Sequence, residues 1–428
     1  MTEGASRDLG FWALLALGIN GIVGVGIFFV PSSVATLVPG LAGVWAYALT
    51  AVALLPVAFT YSLLGARFEE DGGPYVWARA AFGSAAAFGV GWVAYVSAVF
   101  STAAVVAGLS EPVAAGLGMG SGWGARACAL VCVLVLGAVA ATGLRPSAGV
   151  WTTVTVLKLT PLLLLAAVGA WGLDTPAART STAVGAPLSG LVRAMLVVVF
   201  ATQGFEIVAV PAGHARRGHW SIPVATVSSL VFAVLLYLAL HAICVLAVPD
   251  LAREAQPVVA AAGVVGGRGF ARLVSVGTTV SALGIAFGMF AMTPRYLAAL
   301  GREDGLGTWI GRETTSQVPA RALGATTVLV AGLVLTALGQ PDGIGLRGLF
   351  VLSGVMVLTQ YSVSALALAT LAWRAKQGLE RRHAWPVPLV AVTIAIMAQA
   401  ARWSELLVLV GALCVGLLLL QGRRLRRR

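Results

Sequence analysis

Apolar runs of about twenty residues recur from residue 10 to residue 421, and no other feature constrains the fold as strongly. A run of that length crosses the hydrocarbon core of a bilayer as one helix. No water is available at that depth, so every backbone N–H and C=O must be satisfied inside the protein. The runs divide into about twelve spans, at 10–38, 41–65, 84–109, 126–143, 147–172, 189–213, 221–248, 268–292, 320–338, 345–372, 384–402 and 404–421. Proline and glycine blur the edges at 65–90 and 384–404. Composition agrees: 59% of 428 residues are hydrophobic, only 10% are charged, and the mean hydropathy is +0.93. A soluble domain carries about 25% charged residues. The expected fold is therefore an all-α membrane protein, with a single transmembrane domain over 1–421 and a basic tail at 422–428.

Charge placement sets the orientation. Of 28 Lys and Arg residues, 19 fall at the N-terminus, in the even-to-odd loops and at the C-terminus; eight fall on the other side, and Lys158 lies within a span. The positive-inside rule then puts both termini in the cytoplasm of a multi-pass cell-membrane protein, as an even span count requires. The net charge of +12 is spread over this cytoplasmic rim and the tail Arg423-Arg424-Leu425-Arg426-Arg427-Arg428. That distribution suits contact with anionic lipid and argues against a nucleic-acid partner. Glu3 and Asp8 beside a single Arg7, followed by an apolar run too long for a leader, read as a first span and not as a cleaved signal.

Two spans carry breaks. In the first, Gly18, Gly21, Gly24 and Gly26 weaken the helix at mid-depth, each costing about 1 kcal/mol relative to alanine. Unwound backbone is tolerated in a membrane only where it is buried or lines a cavity. The N–H groups freed at such a break suit an anionic group and the freed carbonyls suit a cation. In the sixth span, Thr202, Gln203, Gly204 and Glu206 interrupt the apolar runs 191–200 and 207–212. The breaks lie five spans apart, so the second unit runs in the opposite direction. This is a five-plus-five inverted repeat, 10–173 against 189–372, with two peripheral helices over 384–421, and its interrupted helices meet at the bilayer midplane. The pattern points to a transporter; a pair of packing kinks is the plainer alternative.

Few side chains inside the spans carry chemistry. Lys158 is 13 residues after Arg145 and 16 before Asp174, roughly 20 Å from either end, while its stem reaches only about 6 Å. A lysine there either fills a cation site when protonated and vacates it when neutral, or is a fixed group bonded to backbone carbonyls. Glu206 is the one carboxylate placed well inside a span. It either titrates, recognises an amine, or caps freed N–H groups. His241 reads as a hydrogen-bonded packing residue ahead of a proton relay, and Gln203 and Gln360 read as polar lining. Cys128, Cys132, Cys244 and Cys414 lie in spans without the histidines or carboxylates of a metal site, and read as packing residues. Three loops, 69–75, 213–219 and 294–319, fall on the predicted cytoplasmic side, where they read either as inner-gate contacts or as simple solvated loops.

These residues resemble the amino acid–polyamine–organocation superfamily of permeases. Gly24-Val-Gly-Ile-Phe28 is similar to the family's Gly-Ser-Gly-Ile-Phe signature in the first helix, and Gly72-Gly-Pro-Tyr75 with Trp77 to its Gly-Gly-X-Tyr start of the third. The run from Gly204 to Gly213 resembles the sixth helix, with Glu206 on a commonly acidic position. Thr293 to Gly305 resembles the loop after the eighth, with Glu303 inserted. The resemblance implies that the two broken helices hold a substrate's carboxylate and amino group through backbone atoms. It also implies that Lys158 matches the lysine that replaces sodium in proton-coupled members. Val25 stands where a hydroxyl residue is frequent, which removes side-chain help at the carboxylate.

The expected function is secondary active transport of an amino acid, neutral or apolar, proton-coupled or by exchange, with no enzymatic chemistry and no cofactor. The substrate site is expected at Ile22, Val23, Gly24, Val25, Gly26, Phe200, Thr202, Gln203, Gly204 and Phe205, and proton coupling at Lys158 and Glu206. A polyamine or organic-cation permease is the alternative; a channel would need a polar stripe along several helices.

Overall fold

The computed structural model describes residues 9–24, 26–119, 122–143, 148–172, 187–303, 306–315, 318–338 and 345–426, and these are almost entirely helical. The first span is two helices, α1 (Phe11–Ile22) and α2 (Gly26–Leu37), bent by 44° where the glycines cluster. The next four spans are α3 (Val44–Gly65), α5 (Ser84–Gly116), α6 (Trp123–Ala141) and α7 (Ala148–Gly172), with a short α4 (Pro74–Phe82) leading into α5. Gly83, at φ 90°, turns the chain between α4 and α5, a conformation that an L side chain resists.

The sixth span is α8 (Leu188–Thr202) followed by a 3₁₀ turn over Phe205–Ala209. Then come α9 (Gly218–Ala247), α10 (Pro257–Glu303), a short α11 (Thr308–Gly311), α12 (Ala320–Ala337), α13 (Gly345–Trp373), α14 (Pro386–Gln399) and α15 (Trp403–Arg426). Each of the twelve apolar runs is thus a helix or a broken pair. Among the described residues eight helices are long and apolar enough to cross a membrane, nine when the bent pair counts as one span. The eighth span differs from expectation: its helix starts at Pro257 and is interrupted at Gly267, φ 73°, so a further helical segment precedes the run at 268–292.

Packing separates core from periphery. The apolar window of α5 is 78% buried and that of α13 72%, against 11% for α15. Helix α9 lies along α1 and α3, α13 along α5, and α10 against α5 and α7; α14 and α15 attach to the outside of α3, α5 and α13. The many exposed leucines and valines of α6, α7 and α15 are what a lipid-facing surface requires.

Candidate functional site

The break in the first span leaves carbonyl groups without their i+4 donors. Two side chains take them up. Lys158, on α7 and 1% exposed, donates from Nζ to the Asn20 carbonyl at 3.0 Å and to the Val23 carbonyl at 2.7 Å. Tyr237, on α9, donates to the Ile22 carbonyl at 2.8 Å. Val23 itself adopts φ −72° and ψ 82°, and the Gly24 N–H closes onto the Ile22 carbonyl at 2.7 Å, a tight turn that ends α1. The ammonium therefore sits at the negative end of the α1 dipole, bonded to two carbonyl oxygens. On the far side of the break, α2 begins with N–H groups that no preceding helical turn can satisfy. Val25 lies outside the described residues.

The second break meets the first directly. Gly204 has φ 121°, and a Cβ there would lie 2.3 Å from the Gly21 carbonyl oxygen and 2.8 Å from the Ile22 nitrogen. Both the backbone angle and the contact demand glycine. Gly26 abuts the sixth span in the same way, with a hypothetical Cβ 2.6 Å from the Ala201 Cα; Gly24 faces the Ile285 side chain at an ordinary 3.4 Å. Of the expected glycines, Gly26 and Gly204 thus serve helix-to-helix approach, and Gly24 has room beside it.

Glu206 turns back into its own break. Its Oε2 accepts the Gly204 N–H at 2.7 Å and the Tyr361 hydroxyl at 3.1 Å. Thr202 is spent locally, donating to the Val198 and Val199 carbonyls one turn below, and is fully buried. Gln203 points elsewhere: its Nε2 donates to Ser101 Oγ on α5 at 3.0 Å and to Ser353 Oγ on α13 at 3.2 Å. The two serine oxygens are 2.6 Å apart and share a hydrogen bond, and Ser97 donates to the Ser353 carbonyl at 3.4 Å.

Aromatic groups lie on both sides of this polar cluster. One turn before Ser353, Phe350 stacks on Phe200 with centroids 4.4 Å apart and planes 24° from parallel. Two turns after it, Tyr361 packs with Phe205 and Tyr61, centroids 5.6 Å apart in each pair. Tyr61 in turn accepts hydrogen bonds from Gln360 and Ser364, both at 3.2 Å, so Gln360 serves this aromatic group.

Sequence reading missed Ser97, Ser101, Ser353, Tyr61, Tyr237 and Tyr361. Ser97 and Ser101 stand four residues apart on one face of an apolar span, a signal that was available; the tyrosines are single residues whose facing only packing decides. His241 departs from expectation. It is fully buried against the Tyr47 ring, centroids 4.9 Å apart, yet neither ring nitrogen has a hydrogen-bond partner among the described residues, nor has the Tyr47 hydroxyl.

At the end of the bundle where α1 begins, two of the three loops meet. Leu9 pairs with the segment after the sixth span: its N–H donates to the His214 carbonyl and its carbonyl accepts the Arg216 N–H. Asp71 receives the Gly213 N–H on Oδ1 at 2.9 Å and pairs through Oδ2 with His214 at 3.1 Å. The third loop, 294–319, lies partly outside the described residues.

Comparison with known proteins accords with this geometry. The family model described as amino acid permease matches residues 9–416. The chain is 29% identical over 390 residues to an arginine/ornithine antiporter of Pseudomonas aeruginosa, covering 85% of this chain and 79% of that protein. It is 25% identical over 420 residues to a methylthioribose transporter of Bacillus subtilis (94% and 88% covered). It is 24% identical over 410 residues to a serine/threonine exchanger of the same organism (90% and 87% covered). The family and these relatives are transporters and not enzymes. With two abutting broken helices inside an all-helical bundle and a family match over nearly its whole length, this chain belongs to the amino acid permease family of the amino acid–polyamine–organocation superfamily.

Proposed function

We propose that the protein moves neutral amino acids across the cell membrane by alternating access, coupled to protons or by exchange, with both termini cytoplasmic. The observation that carries this reading is the junction of the two breaks. Gly204 rests on Gly21 and Ile22, so the N–H groups opening α2 and the unwound backbone at 203–204 face one locus. A carboxylate suits the N–H groups and an ammonium suits carbonyls, which is the pairing an amino acid offers. The two halves, 10–173 and 189–372, are then inverted repeats that meet at this locus, with 384–421 peripheral.

Lys158 supports proton coupling. Its ammonium lies between α7 and the carbonyl end of α1, where a bound cation would hold the same two helices together. Loss of its proton would release that tie. Glu206 is the second proton-linked group in this reading, since Tyr361 and the Gly204 N–H both stabilise its acceptor oxygen and both would lose by its protonation.

For the side chain of the substrate, the Phe200–Phe350 stack and Phe205 offer apolar walls, and Ser101, Gln203 and Ser353 offer neutral hydrogen-bonding groups. Ile22, Val23, Gly24, Gly26 and Gly204 would supply backbone contact. Glu206 is the one carboxylate among the described residues at the breaks, and it is already engaged, which disfavours a cationic side chain. The similarity to an arginine/ornithine antiporter favours a second reading, exchange of cationic amino acids. Competition for uptake into proteoliposomes separates them. Inhibition by leucine, methionine, alanine or serine is expected. Inhibition by arginine, ornithine or putrescine without any of those would replace the neutral assignment with the cationic or polyamine one.

A further inference from the structure

A cluster of charge unconnected with the breaks lies at the opposite end of the bundle, where α8 and α13 begin. Arg193 of α8 forms a two-pronged pair with Glu405 of α15, one prong 2.6 Å long, and also donates to the Ala400 carbonyl at 2.8 Å. Glu405 Oε2 additionally accepts the Arg402 N–H at 2.8 Å. Both of its oxygens are therefore in use.

Two more arginines stand beside this pair. Arg347, the third residue of α13, is half-buried, and its Nε is sealed from solvent without a hydrogen-bond partner. Arg193 and Arg402, both of its own sign, lie close enough to act on it electrostatically. Arg402 is exposed, and among the described residues neither its guanidinium nor that of Arg347 is in an ion pair. Arg193 thus takes up Glu405, and among the described residues the guanidiniums of Arg347 and Arg402 are left without a counter-charge. Like charges drawn together in a partly dry site repel unless a counter-charge joins them.

We propose that Arg347 and Arg402, with Arg193 behind them, bind a phosphate-type oxyanion, and that its source is the headgroup of an anionic phospholipid. The guanidinium fork matches phosphate oxygens in geometry as well as in charge. The depth fits a headgroup: Trp403 follows Arg402 and is 83% exposed, and such a ring is favoured at the membrane–water boundary. Leu188, at the start of α8, is 75% exposed. The site also has a mechanical consequence. It ties the start of α13 to the segment between α14 and α15 and, through Arg193, to α8. Those two long helices carry the Phe350–Phe200 stack, so an occupied site resists their separation.

Thermal unfolding of the purified, delipidated full chain in detergent tests the proposal. Dioleoylphosphatidylglycerol, dioleoylphosphatidylcholine and inorganic phosphate are titrated into wild type, Arg347→Gln and Arg402→Gln at one ionic strength. Phosphatidylglycerol is expected to raise the wild-type unfolding temperature at lower concentrations than phosphatidylcholine. Each substitution should shift the phosphatidylglycerol midpoint upward by about fivefold, the worth of one arginine at an anionic surface. If Arg347→Gln yields too little folded protein, the exposed Arg402→Gln carries the test. Equal midpoints in wild type and in the variants recovered would overturn the site. Full reproduction of the shift by inorganic phosphate would overturn the lipid as its ligand.

Discussion

At the scale of single residues, Lys158 and Glu206 behave alike: each side chain satisfies backbone groups that a broken helix leaves open. Lys158 binds two carbonyls at the end of α1, and Glu206 binds the Gly204 N–H. Substitution separates structural from coupling roles. Lys158→Ala is expected to fold and to bind substrate but to lose the dependence of uptake on external pH over about pH 5–8; full pH dependence in proteoliposomes would refute the coupling role. Glu206→Gln keeps an acceptor for Gly204 and removes the charge. Transport is expected to fall or its pH profile to shift, and wild-type rates at every pH would leave Glu206 as a cap only. Gly204→Ala is predicted to be a stability lesion of about 3 kcal/mol or more, because its Cβ would meet the Gly21 carbonyl and its φ is 121°. A large drop in the unfolding temperature checks it. His241 offers the converse case. Among the described residues its two buried nitrogens have no partner, so His241→Leu is expected to raise the unfolding temperature, and a lowered one would show that the imidazole is needed there.

Among the elements, the peripheral α15 deserves its place through one pair. Only 11% of its apolar window is buried, yet Glu405 reaches Arg193 on α8, with side-chain exposures of 9% and 12%. Breaking such a pair from one side leaves an uncompensated charge, at a cost of about 3–5 kcal/mol. Glu405→Ala is accordingly expected to destabilise the protein more than any truncation of a lipid-facing leucine on the same helix, for example Leu418→Ala, and paired thermal-unfolding curves decide it. The broken elements follow a similar logic. The run from Gly18 to Gly26 announced a break in the sequence, whereas the partners that make it tolerable, Lys158 and Tyr237, come from α7 and α9, far along the chain. No local pattern could name them both.

For the whole molecule, the nature of each contact indicates which parts move together. The first and sixth spans touch backbone to backbone at Gly204 with Gly21 and at Gly26 with Ala201, too closely to slide. Leu9 and the segment at 214–216 extend that union to the end of the bundle. Contacts from the sixth span to α5 and α13 also run through side chains, the Gln203–Ser101–Ser353 cluster and the Phe200–Phe350 stack, which can part and re-form; one closer approach, Gly354 of α13 to the Leu196 carbonyl, lies deeper along α8. A cysteine pair at Leu9 and Ala215, in a background without the four native cysteines, should therefore keep its transport after oxidation. A pair at Phe200 and Phe350 should lose upon oxidation whatever transport it shows when reduced. Inhibition of the first pair with survival of the second would reverse the assignment of moving parts.

The apolar runs, their helical form and the positions of both breaks were legible in the sequence, because hydrophobic run length and glycine content act locally. Bilayer thickness sets the first, and backbone freedom sets the second. The depth of Lys158 followed from spacing alone. Facing, partnership and occupancy were decided only in three dimensions. Thr202 and Gln203 are neighbours in one polar stretch, yet Thr202 is consumed by its own helix while Gln203 joins serines on two other helices. Gly24 and Gly26 look equivalent in the motif, but only Gly26 is pressed against the sixth span. These differences arise because side-chain direction depends on how helices rotate against one another, and that rotation is a property of the assembled bundle.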